Sequence, residues 1–160
     1  MKSVKFMSAI LISASLGSIA MASPSGTLTI SGIVALVNDI TVTANSNATA
    51  LNITGGESAK LVATVVESSN DVNGYQIKMA SANGGFLVNG SASSQKTAYK
   101  LGYDGSASAT LSSAGTVVKS VNSLSGLASH TSNVNVDVTA MPLAVAGTYS
   151  DTITVTIVAN

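Results

Sequence analysis

The sequence has no cysteine, no arginine and no tryptophan, a single histidine, two prolines and only 9% charged residues. Each shortage excludes something. Without cysteine no disulfide can form, so stability rests on packing and ladder hydrogen bonds. Without arginine or a basic stripe, the chain lacks the electrostatic footprint of a nucleic-acid binder. All seven cationic residues are lysines, and Lys2 and Lys5 fall in the leader described below. Five lysines then stand against seven acids, a balance of −2.

Catalytic groups are equally scarce. His130 lies in "GLASHTSN", within residues 120–132, which read as mostly loop. No G-x-S-x-G elbow accompanies the many serines. The acids Asp39, Glu57, Glu67, Asp71, Asp104, Asp137 and Asp151 are scattered. "DVNG" at Asp71 lacks the alternating ligands and closing glutamate of a calcium loop, so it reads as a turn. Gly55-Gly56 and Gly84-Gly85 follow strands and open no helix, so they cradle no phosphate. No catalytic, cofactor-binding or metal-binding residue is expected, and the chain does not read as an enzyme.

What is present begins with a leader. Lys2 and Lys5 precede an uncharged apolar run, residues 6–19, and Ala20-Met21-Ala22 supplies a small-x-small cleavage site. The run is short for a membrane span. Residues 1–22 are therefore expected to be a signal peptide, with export and a mature chain of 138 residues from Ser23. That length suits one domain with one core.

The mature part is rich in Ser, Thr, Asn, Gly, Ala and Val, and its dominant signal is period-two alternation. In "SGTLTISGIVALVNDITVTAN", residues 25–45, Leu28, Ile30, Val34 and Leu36 share one face, with Gly32 between them. The other face is polar early and apolar later. This run predicts a strand, a break at Asn38-Asp39, and a resumed strand over 40–44. Further strands are expected over 50–56, 59–68, 75–79, 86–90, 97–105, 115–121 and 133–140, the last burying Val134, Val136 and Val138. Asn73-Gly74, Asn83-Gly84-Gly85 and Asp104-Gly105 are expected turns, the first of the kind that closes hairpins. "TYSDTITVTIVAN" closes the chain as one long strand with Tyr149, Ile153, Val155 and Ile157 inward. No mature segment carries a helical stripe. Many short strands between Gly/Asn turns predict an all-β sandwich.

Three pieces carry a family resemblance. "GTLTISGIVALVNDITVTANSNATALNITGG" resembles the N-terminal extension and first strand of chaperone–usher pilins. "NGYQIKMASANGGFLVNGSASSQKTAYKLGYDG" is similar to the middle of the spore-coat-U-like secreted subunits. "AGTYSDTITVTIVAN" resembles the family's terminal strand. The resemblance implies an immunoglobulin-like sandwich that lacks its final strand, residues 37–160. It further implies a structural subunit of a fimbria or pilus, serving adhesion or biofilm formation. A periplasmic chaperone would cover the gap in transit, an outer-membrane usher would pass the chain to the surface, and the extension of the next copy would then replace the chaperone. Residues 23–36 are the candidate donor segment, with Leu28, Ile30, Gly32, Val34 and Leu36 facing the neighbour. Tyr149, Ile153, Val155 and Ile157 would line the core or the acceptor groove. No cofactor and no nucleic acid is implied, and the membrane matters only in transit.

Two readings stay open on the residues alone. The first run is either donated or retained as an edge strand of its own domain. Correspondingly, the chain is either a polymerising subunit or a monomeric secreted β-sandwich adhesion module.

Overall fold

The computed structural model describes residues 24–160, so the expected signal peptide lies outside the described residues. Two units, Met1–Ile33 and Val34–Asn160, divide the chain. In the first, residues 24–33 form no helix or strand and every one is exposed.

The second unit is built from nine strands: β1 (Asn38–Ala44), β2 (Glu57–Ser69), β3 (Tyr75–Ser81), β4 (Phe86–Asn89), β5 (Ala92–Tyr103), β6 (Thr116–Val121), β7 (Ala128–Val138), β8 (Tyr149–Ser150) and β9 (Ile153–Ala159). A single 3₁₀ turn, Ser46–Thr49, is capped by Asn45, whose side chain accepts from the Asn47 N–H at 3.0 Å. The strands make two antiparallel sheets, one in the order β1-β2-β7-β5-β4-β8 and one in the order β6-β3-β9. The expected all-β sandwich is therefore what forms.

Alternation explains the layers. Tyr75, Ile77 and Met79 of the small sheet are buried, as are Val65, Tyr99, Leu101, Tyr103, Val134, Val136 and Val138 of the large one. These residues meet in one cluster, and Ile153, Val155 and Ile157 pack against it half-buried. Side chains two apart on a strand share a face, so each run delivers one apolar row to the interior.

Several expectations need correction. The run over 27–37 forms no strand, because alternation makes a strand only where a neighbour supplies the ladder. Asn38-Asp39 is not a break but the start of β1, paired with Ser69 and Ser68. Residues 50–56 supply only the turn and no strand. The Asn73-Gly74 turn forms but closes no hairpin, since β2 and β3 belong to different sheets. There Gly74 has φ +80°, and a Cβ on it would meet the Val121 carbonyl oxygen at 1.9 Å. His130 is not in a loop, because β7 begins at Ala128 and pairs His130 with Glu67.

The terminal run is two strands rather than one. Tyr149 and Ser150 pair with Asn89 and Val88 in the large sheet, whereas Ile153–Ala159 pairs with β3 in the small one. Tyr149 therefore does not share a strand with Ile153, Val155 and Ile157. The break is pinned by Asp151. Its Oδ2 accepts from Ser81 Oγ and from the Tyr99 hydroxyl, both at 2.5 Å, and its Oδ1 accepts from the Asn83 N–H at 3.0 Å. These partners hold the chain at the point where it changes sheets.

Candidate functional site

The seam between the sheets is open along one side. β1 ends the large sheet and β9 ends the small one, so each has a neighbour on one side only. The register fixes their directions. Asn38 is opposite Ser69, and Ala159 is opposite Tyr75, just across the Asp71–Gly74 turn, so the start of β1 and the end of β9 share one pole. The two strands therefore run antiparallel along the seam. Over part of their length their Cα atoms come within 8 Å of each other, yet they exchange no ladder bonds.

At the opposite pole the seam widens into a cleft of about 280 Å³. Val42 and Ala44 of β1, with Leu51, form one wall, and Ile153 and Val155 of β9 form the other. Met79, Leu87, Tyr99, Leu101, Val134 and Val136 lie beneath. The lining is mostly apolar, with Asp151 and Tyr99 as its polar members. Val42 remains 48% exposed although it points toward this wall. The Tyr99 hydroxyl donates to Asp151 at the cleft's border. Burial, and then its hydrogen bond to Asp151, push its phenol pKa well above the ordinary value. It stays a neutral donor and offers no reactive group.

Of the residues expected to line a groove, Ile153 and Val155 do so. Ile157 packs on the core beyond the cleft's open part. Tyr149 lines a neighbouring depression with Leu51, Ile53 and Leu87. The expected donor residues are not brought against any partner. Leu28 is 84% exposed and Ile30 85%, and Val34 and Leu36 are exposed as well. A Cβ placed on Gly32 would meet nothing within 4 Å, so no close approach occurs there within the chain.

Sequence reasoning missed three things. One is the wall contributed by Val42, Ala44 and Leu51. The second is Asp151, whose role depends on residues far along the chain. The third is a buried polar cluster. Glu67 is fully buried and accepts from Lys119 Nζ, from the Tyr103 hydroxyl at 3.2 Å and from Ser132 Oγ at 3.2 Å. Lys119 also reaches Asp104 at 3.1 Å, and His130 Nε2 lies 3.0 Å from the same Asp104 oxygen. Burial opposes ionisation of Asp104, but the bonds from His130 and Lys119 outweigh it and hold its carboxyl below the usual range. Burial likewise opposes charging of Lys119, and Glu67 and Asp104 outweigh it, so its ammonium is held above the usual range. The signal was in the sequence: Glu67 sits between Val65 and Ser69 on the inward face of β2. The acids are thus less scattered in space than along the chain.

The cluster ties the two sheets together. Lys119 comes from the small sheet, whereas Glu67, Tyr103, Ser132 and His130 come from the large one. Among the described residues no group of three or more His, Cys, Asp or Glu side chains is placed to hold a metal ion. The site with an unmet requirement is the apolar cleft, whose flanking strands each lack a neighbour. Comparison with models of known protein families returned no match, and neither did comparison with curated proteins.

Proposed function

We propose that this chain is a structural subunit of a surface fimbria, joined to its neighbours by lending a strand. The residues 27–34 of one copy enter the cleft of the next, add to the free edges of β1 and β9, and cover the apolar floor. This is strand addition to an exposed edge, repeated head to tail into an open filament. In this reading the domain is an immunoglobulin-like sandwich short of its last strand. Export through the periplasm would require a chaperone on the cleft and an usher in the outer membrane, and the finished filament would serve adhesion or biofilm formation.

One observation carries the reading: the same chain holds an unpaired apolar arm and an unfilled apolar seam. An exposed apolar row of this size marks an interaction site, and an open edge is otherwise an aggregation hazard. The two are complementary in form, since the arm alternates with the period of a strand and the seam is bounded by strand edges. Burying Leu28 and Ile30 contributes about 1.5–3 kcal/mol each before ordering costs, and ladder bonds add to that.

A copy is poorly able to serve itself. A tight hairpin about Ser31-Gly32 pairs residue 30 with residue 33, and so residue 23 with residue 40. It stops short of Val42 and Ala44, which line the cleft. A second copy has no such tether.

The test uses the full mature chain. Ile30→Asp should abolish filaments while leaving the cleft able to bind a peptide of residues 25–36, seen as a rise in thermal midpoint. Filaments formed normally by Ile30→Asp, or a stable monomer indifferent to the peptide, would overturn the reading. The latter outcome would favour a closed adhesion module.

A further inference from the structure

Where the arm stops and the domain begins is decided by one side chain. Asn70 follows β2 and grips the backbone ahead of β1 at three points. Its Oδ1 accepts from the Val37 N–H at 2.7 Å, its Nδ2 donates to the Ala35 carbonyl at 2.8 Å, and its own N–H donates to the Val37 carbonyl at 3.1 Å. The side-chain amide stands in for a peptide group of a neighbouring strand. It extends the β1–β2 ladder past its last pair, Asn38 with Ser69.

We propose that Asn70 is the positioning residue that fixes the root of the arm. It keeps residues 35–37, Leu36 included, in their own domain, and leaves Leu28, Ile30 and Val34 as the side chains that enter the neighbouring cleft. This deepens the strand-exchange reading and rests on it.

Two further observations agree. The open part of the seam is short, with walls that end at Val42 and Val155, so it has room for few side chains along a strand. The grip also blocks self-filling. A reversal at Leu36-Val37, unlike one at Gly32, would bring residue 23 opposite residue 50 and carry the arm past Val42 and Ala44 of the cleft wall. Asn70 holds those residues extended. Loss of the grip permits the reversal, and the chain would then cap itself instead of a neighbour.

The acceptor for the test is the full mature chain carrying Ile30→Asp, whose own arm is disabled. Peptides of residues 25–34 and 25–37 should bind it with affinities within about threefold of each other, because both carry Leu28, Ile30 and Val34. A longer peptide tighter by tenfold or more would show that Leu36 is donated and overturn the assignment. Failure of both peptides would instead overturn the strand-exchange reading, and the proposal with it. In the otherwise native chain, Leu28→Asp should stop assembly and Leu36→Asp should not. Asn70→Ala should shift the population from filaments to self-capped monomers and remove hydrogen-exchange protection at the Val37 amide. Asn70→Asp, which keeps the Oδ1 acceptor but not the Nδ2 donor, should fall between. Wild-type assembly by both Asn70 variants would overturn the clamp.

Discussion

Lys119 of the three-stranded sheet reaches across the sandwich to the carboxylate of Glu67, a fully buried residue of the six-stranded sheet. In a chain without cysteine, this pair is a side-chain tie between the layers. Removing one partner leaves the other charge buried and uncompensated, which typically costs about 3–5 kcal/mol. Lys119→Met should therefore lower stability by an amount of that order, read from the denaturant midpoint. A Glu67→Gln, Lys119→Met double variant should be less destabilised than the single one, because no lone charge remains. Equal loss in both would mean that packing rather than charge dominates.

The same cluster contributes to the acid limit. Asp104 has its carboxyl held below the ordinary value of 3.8. A depressed carboxyl contributes stability that is present above the unfolded pKa and disappears as pH falls through the folded one. Stability should be flat from neutrality to about pH 4 and decline below it. Asp104→Asn should flatten that decline only in part, because Asp137, held low by its hydrogen bonds from Ser108 and the Ala59 N–H, titrates in the same direction. Lys119 works in the opposite sense, and its contribution is lost only at alkaline pH, above 10.5. Denaturant midpoints across pH 2–6 check the acid limb.

Asp151 should matter to both stability and cleft shape. Asp151→Ala leaves Ser81 Oγ and the Tyr99 hydroxyl without their shared acceptor. That costs about 1–3 kcal/mol. Asp151→Asn keeps one acceptor oxygen and should cost less. Because Asp151 and Tyr99 both border the cleft, arm-peptide binding should weaken in Asp151→Ala beyond what lost stability explains, measured well below its thermal midpoint.

On β9, alternation separates neighbours. Val155 lines the cleft, whereas Thr156 is exposed on the other face. Val155→Asp should abolish capture of the arm peptide, and Thr156→Asp should leave it unchanged. Equal binding by the two variants would place the occupied surface elsewhere.

Gly74 gives a folding prediction. Its positive φ and the 1.9 Å approach of Val121 O to any Cβ leave no room for alanine. Gly74→Ala should destabilise the domain by more than the roughly 1 kcal/mol that glycine-to-alanine exchanges shift at unstrained positions. Asn73→Ala, a residue earlier, should cost less. Thermal midpoints of the two variants make the comparison.

Much of the architecture was legible because strand burial is a local, periodic property. Val134, Val136 and Val138, or Tyr99, Leu101 and Tyr103, declare their inward face from spacing alone, and the structure buries all six. Pairing partners are not local. Thr27 to Ile30 alternates as β7 does, yet it has no strand neighbour and makes no strand. The terminal run reads as continuous, yet Asp151 divides it between two sheets. The expected groove residues Ile153 and Val155 were readable from their own strand. Their opposite wall at Val42 and Leu51 was not, since nothing in the local pattern says which edge faces which.

By itself, the sequence determined the class of fold, the apolar rows, the turns at Gly74, Gly84 and Gly105, and the dependence on non-covalent ties, because these follow from side-chain chemistry and the two-residue period. Only the tertiary structure decided that β1 and β9, each paired on one side only, flank the open seam, that Glu67, Lys119, Asp104 and His130 converge, and that Asn70 takes hold of the chain at Val37. Those relationships join residues tens of positions apart, and only packing in three dimensions selects among the pairings the pattern allows.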